Sequence, residues 1–142
     1  MVVAGAPWQS ALYYRRAMSD PATARRLAAS LPEAEDQSEP ESLAIRLRGK
    51  LFAWSYLERV DGTGPRVPQL DVLAVQCAHE EKEALISARP DAFFTTEHYR
   101  GYPAVLVRLA EIDDDELRTL LVAAWRMRAT KTMARQYADE LD

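Results

Sequence analysis

The chain has one cysteine, Cys77, and two histidines, His79 and His98, in 142 residues. A lone thiol excludes an intramolecular disulfide and any multi-cysteine metal site, and it suits a reducing compartment. His79 has no second histidine at i+4, so no zinc-binding helix motif starts there and no metal is expected. No apolar run approaches the ~20 residues that span a bilayer. The first eighteen residues lack the apolar stretch and cleavage site of a signal peptide. A cytoplasmic protein with no membrane partner is the expectation. Positive charge is also in short supply: a net charge of −4 excludes a protein that coats nucleic acid by bulk charge. Gly62 and Gly64 do not open a helix, so they make no phosphate-binding loop of the usual kind.

What is present suffices for a real core, with 48% hydrophobic residues in a chain of single-domain size. The stretch Ser42 to Leu57, SLAIRLRGKLFAWSYL, reads as a β-hairpin. With Gly49 and Lys50 as a two-residue turn, Arg48 faces Leu51, Leu47 faces Phe52 and Ile45 faces Trp54. Leu43, Ile45, Leu47, Phe52, Trp54 and Tyr56 then share a core face. Ala44, Arg46, Arg48, Ala53 and Ser55 take the other face. The hairpin region, Ser42 to Arg66, is locally basic by about three charges, whereas Glu33 to Glu41 is an acidic block.

Before the hairpin, Trp8, Ala11, Leu12 and Arg15 have helical spacing, but with a thin apolar face. Met18 then precedes a strong helix opening, which makes Met18 a candidate natural start and residues 1–18 an extension to a single domain at 19–142. That helix is expected from Pro21 to Leu31, capped by Ser19 or Asp20, with Ala24, Leu27, Ala28 and Leu31 inward and Pro32 as its stop. The acidic block should be a loop or a short exposed edge strand, and Val60 to Pro68 an exposed, turn-rich flap.

Leu70 to Cys77 is apolar on both alternations, as a central strand covered on both faces would be. A short helix follows over His79 to Ala88, turning Ala84, Leu85 and Ala88 inward. Phe93, Phe94 and Tyr99 fall in an irregular stretch, and Ala104 to Leu109 is a strand. Asp113 with Glu116 forms a capping box before Leu117, Leu120, Leu121, Ala124 and Trp125, the cleanest amphipathic helix in the chain. Thr130 is a second cap, ahead of Met133, Tyr137 and Leu141; a bend and one long helix both remain open. The order of elements is that of an α+β domain with a mainly antiparallel sheet.

No constellation calls for catalysis or a cofactor. Cys77 and His98 are the one nucleophile–base pairing, and an inert core thiol is the better account of Cys77. Asp113 to Glu116 are explained by capping and the helix dipole. Phe93, Phe94, Tyr99 and Tyr102 beside Arg100 fit closure of the core edge better than base stacking. Arg46, Arg48 and Lys50 lie on one face and at the tip of the hairpin, where they could follow a phosphate backbone. An ordinary solvated face, with charges that discourage edge pairing, explains them too.

Several short motifs, in this order, resemble the MmcQ/YjbR-like family. They are Leu31-Pro32, Gly49-Lys50-Leu51-Phe52-Ala53, Tyr102-Pro103-Ala104-Val105-Leu106-Val107-Arg108-Leu109, and the helix with Glu116-Leu117 and Trp125. The match runs from about Asp20 to Arg135. The resemblance implies a CyaY-like α+β fold, an antiparallel β-sheet packed against N- and C-terminal helices. It also implies DNA binding through a double wing of β-hairpins. Carried over by position, the wings are the Arg48-Gly49-Lys50 turn with Arg46 and, more loosely, the 60–68 loop with Arg66. The expectation is therefore a monomeric, non-enzymatic DNA-binding protein; the alternative is an interaction module for another protein.

Overall fold

The computed structural model describes residues 18–58 and 65–141, so the expected helix at Trp8 to Arg15, the extension and most of the 60–68 flap lie outside the described residues. Helix α1 (Pro21–Ala29) starts as read. Asp20 accepts a hydrogen bond from the Thr23 N–H at 2.7 Å and Pro21 fills the first helical position. Ala24, Ala28 and Leu31 are buried, and Leu27 packs beside them. The helix stops two residues short of Leu31, at the Ser30 cap.

Six strands follow: β1 (Glu35–Asp36), β2 (Ala44–Leu47), β3 (Lys50–Glu58), β4 (Val67–Gln76), β5 (Phe93–Phe94) and β6 (Ala104–Arg108). They form one antiparallel sheet in the order β1-β2-β3-β4-β6-β5. Helix α2 (His79–Ala88) lies between β4 and β5, and a 3-10 turn at Leu109–Glu111 leads to α3 (Asp114–Arg128), α4 (Lys131–Gln136) and α5 (Ala138–Leu141). Thus the acidic block contributes an exposed edge strand, β1, and the stretch from Phe93 opens as a short strand, in which Phe93 and Phe94 pair with Val107 and Leu106, before it runs through turns to Tyr99.

The hairpin departs from its expected register. Its turn is Arg48-Gly49, not Gly49-Lys50, and Leu47 faces Lys50. Both central residues have positive φ, 53° at Arg48 and 78° at Gly49, the sign pattern of a type I′ turn, which favours glycine at the second position. The pairing then shifts between Arg46↔Leu51 and Ile45↔Ala53, leaving Phe52 as the extra residue of a bulge. Phe52 and Ala53 both join the helix-side core, and every later residue of β3 changes face. Trp54 and Tyr56 therefore leave the face of Leu43, Ile45 and Leu47 and pack with Ala74, Tyr99, Ala104 and Leu106 on the opposite side. Ser55 turns inward in their place, its Oγ accepting from the Leu43 N–H at 2.8 Å.

The second half of β4 is covered on both faces, with Leu73 and Val75, and Cys77 just after them, under the helices and Ala74 in the opposite cluster, whereas Val67, Leu70 and Asp71 are exposed. In α2 the buried side chain is Lys82; Leu85 and Ile86 are half-buried, and Ala84 and Ala88 face solvent. Helix α3 has its capping box, with Asp113 Oδ1 accepting from Glu116 N at 2.8 Å, and buries Leu117, Leu120, Leu121, Ala124 and Trp125. Ala129 is extended, with ψ 154°, and Thr130 caps α4, so the chain bends here. The Trp125 Nε1–H donates to the Pro32 carbonyl at 2.8 Å, tying α3 to the end of the α1 segment.

Candidate nucleic-acid interface

The hairpin tip is braced on three sides. Arg46 Nε donates to Gln37 Oε1 at 2.8 Å, and its Nη1 donates to the Gly49 carbonyl at 3.1 Å. The Gly49 N–H donates to Glu35 Oε1 at 3.3 Å. Arg48 Nη1 reaches the Arg128 carbonyl at 3.3 Å, while Arg128 donates back to the Leu51 carbonyl and to Gln76 Oε1, each at 3.0 Å. Arg48 and Lys50 remain exposed. Three of the sequence-derived candidates, Arg46, Arg48 and Lys50, thus meet at one end of the sheet.

One further cation comes to the same end, Arg128 at the close of α3. Sequence reasoning missed it because the Arg48–Arg128 contact joins residues 80 positions apart. Acid is also close: Glu35 pairs with Arg46 across β1–β2 and touches the turn. Asp36, next to it, is engaged by Arg25 at 2.8 Å. Burial pulls the Asp36 carboxyl up, but hydrogen bonds from Arg25 and Ser38 outweigh it and hold the group below the usual carboxylate range.

Arg66 is not with the other three. It precedes Val67, which pairs with Glu58 at the far end of β3, and its charge acts on the Tyr56 hydroxyl. At ~3.3 Å per residue, Lys50 and Glu58 are about 26 Å apart along the strand. Successive turns of an antiparallel meander lie at opposite ends of the shared strand, so the two wing candidates point apart.

The sheet face away from the helices carries rings. Trp54, Tyr56 and Phe94 surround the buried Ala74, Tyr99, Ala104 and Leu106. The loop over this face is anchored by Lys82, which is 3% exposed and donates from Nζ to the carbonyls of Tyr99 at 2.6 Å and Tyr102 at 2.9 Å. Burial lowers the Lys82 pKa, and no carboxylate among the described residues pairs with it.

Cys77 and His98 each have a different partner. Cys77 Sγ lies 3.5 Å from the Ala78 carbonyl, and burial, helped by Glu81, pushes its thiol up to about 11. His98 stands edge-on to Tyr99 at 5.1 Å and is exposed. Among the described residues no three acidic, histidine or cysteine side chains group to hold a metal. A cleft of about 530 Å³ between α1 and the 36–43 segment is lined by Pro21, Pro40, Leu43 and Leu70 together with Arg26, Glu39 and the Arg25–Asp36 ion pair. No helix among the described residues is long and apolar enough to cross a membrane.

The YjbR family profile matches residues 29–127. The chain belongs to the YjbR family. Uncharacterised proteins of Mycobacterium tuberculosis and Mycobacterium bovis are each 37% identical to it over 119 residues, covering 79% of this chain and 90% of theirs. The crystal structure of a Deinococcus radiodurans protein with a DUF419 domain superposes with a TM-score of 0.59 at 19% identity. It covers 87% of this chain and 88% of that one. That likeness shows the α+β fold of the YjbR chain; the Leu31-Pro32, Gly49 to Ala53, Tyr102 to Leu109, and Glu116, Leu117 and Trp125 motifs that carried the resemblance in sequence all fall inside the matched span.

Proposed function

We propose that this YjbR-family chain is a non-enzymatic nucleic-acid-binding protein, acting in the cytoplasm as a monomer and meeting phosphates with Arg48 and Lys50 at the hairpin tip. The observation that carries the reading is Arg48 itself, an exposed arginine at φ 53°. Left-handed backbone costs a side chain other than Gly, Asn or Asp about 1–2 kcal/mol, and strain of this kind concentrates at functional positions. Arg46 and Arg128 supply charge around it, while Glu35 limits how much phosphate the tip attracts. A tip fixed by hydrogen bonds on three sides presents its cations without a large ordering cost.

The test is fluorescence anisotropy with labelled DNA on the wild type and on the double variant Arg48→Glu, Lys50→Glu. Binding that is lost on reversal supports the assignment; unchanged binding rejects it. A second reading, docking of another protein, draws on Leu57, Val67 and Leu70, which are 39%, 43% and 37% exposed near the other end of β3. Retained partner capture in the charge-reversed variant, with no DNA binding by the wild type, would favour it.

A further inference from the structure

The sheet face that the helices leave open carries a continuous row of rings. Phe94 meets Tyr56 edge-on at 6.3 Å, Tyr56 meets Tyr99 at 5.9 Å, Tyr99 meets Tyr102 at 6.0 Å, and Tyr102 meets Trp54 at 6.1 Å. Tyr99 is buried, Trp54 and Tyr56 are half-buried, and Tyr102 is 46% exposed. The Trp54 Nε1–H donates to the Tyr99 hydroxyl at 3.1 Å, and Lys82 holds the backbone beneath Tyr99 and Tyr102. The rings are thus positioned before any ligand arrives.

Cations bracket the row. Arg46 lies on the same face, two residues along β2 from Ala44, the cross-strand partner of Trp54. At the opposite end Arg66 acts on the Tyr56 hydroxyl, with Glu58 as the acid that opposes it there. The Arg108 guanidinium sits 4.1 Å above the Phe94 ring. Charge at both ends of β3 with rings between is the arrangement of a track, not of a single point contact.

We propose that this face binds single-stranded nucleic acid, with bases stacked on Tyr102 and Trp54 and the backbone running between Arg46 and Arg66, at the two ends of β3. This rests on the nucleic-acid reading above and names its substrate class. Stacking needs unpaired base faces, which a duplex hides and a single strand offers. The length of β3, about 26 Å, accommodates on the order of four nucleotides, the lower end of single-strand site sizes. It also gives Arg66 a role that a tip-only contact leaves unexplained.

The test titrates fluorescein-labelled oligothymidylate, oligouridylate and a DNA duplex, each of about ten nucleotides or pairs, against the wild type, Tyr102→Ala and Tyr102→Phe. A preference for either single strand over the duplex is expected, with Tyr102→Ala weakening single-strand binding about tenfold, duplex binding unmoved and Tyr102→Phe near wild type. Comparing oligothymidylate with oligouridylate tells whether the sugar is read; a preference for either supports the proposal. Duplex binding alone, indifferent to Tyr102→Ala, overturns it and leaves the tip assignment standing. No binding of any of the three overturns both. A dimer in sedimentation equilibrium that Tyr102→Ala dissociates assigns the face to a second copy of the chain and also overturns it.

Discussion

Lys82 is a buried charge whose ammonium donates to two carbonyls and pairs with no acid among the described residues, so it works as a clamp between α2 and the 95–103 loop. Replacing it by Met leaves those carbonyls short of a donor, and Lys82→Met should cost about 1–3 kcal/mol in urea denaturation. Hydrogen exchange should rise first in the loop carrying Tyr99 and Tyr102; a neutral substitution would show that the clamp is dispensable. Cys77 should resist iodoacetamide at pH 8 in the folded protein and react in denaturant, since its thiol is pushed up to about 11 by burial. The sign of the linked effect follows. The folded chain keeps the thiol proton over a range in which the unfolded chain, at 9.0, has lost it. The contribution is therefore present below pH 9.0 and disappears as pH rises toward 11. Cys77→Ala should remove that part of the alkaline loss of stability, as read from denaturation midpoints across the same range.

At the scale of elements, the hairpin turn is the most exposed to test. Gly49 sits at φ 78°, so Gly49→Ala should destabilise by about 1–2 kcal/mol although no atom lies within 4 Å of the added Cβ. Arg48→Asn, better suited to left-handed backbone, should raise the melting temperature slightly and weaken nucleic-acid binding. A variant that gains stability and keeps full affinity would remove the reason offered for the arginine. The hairpin also explains where sequence reading succeeds. The α1 and α3 caps depend on residues three apart, and the α3 stripe on a repeat within one element, so both are legible in the chain itself. The Phe52 bulge depends on which pairing best serves two packed faces at once, and strict alternation therefore put Trp54 and Tyr56 on the wrong side. Helix α2 misled for a similar reason: its inward residue is chosen by loop carbonyls 17 and 20 positions away, which favour Lys82 over an alanine.

At the scale of the molecule, helices cover one face of the sheet and an aromatic loop covers part of the other. Cations gather at both ends of β3 in a chain whose net charge is −4. Long-range attraction to a polyanion is therefore weak, and the proposed binding rests on local placement of Arg48 and Lys50 beside Arg128. Of this end, Arg46, Arg48 and Lys50 were legible in the sequence because they are close in the chain. Arg128 was not, because folding alone brings it to the turn. The separation of Arg66 from the tip could have been read from meander geometry, and it distinguishes a track along β3 from two wings closing on one groove.

The most direct measurement is the salt dependence of nucleic-acid affinity for the wild type and Lys50→Ala, between about 50 and 200 mM salt. If Lys50 neutralises a phosphate, affinity falls as salt rises and the slope of log K against log salt shrinks by about one in the variant. An identical slope in the two proteins, or no binding even at the lower salt, would contradict phosphate contact at the hairpin tip.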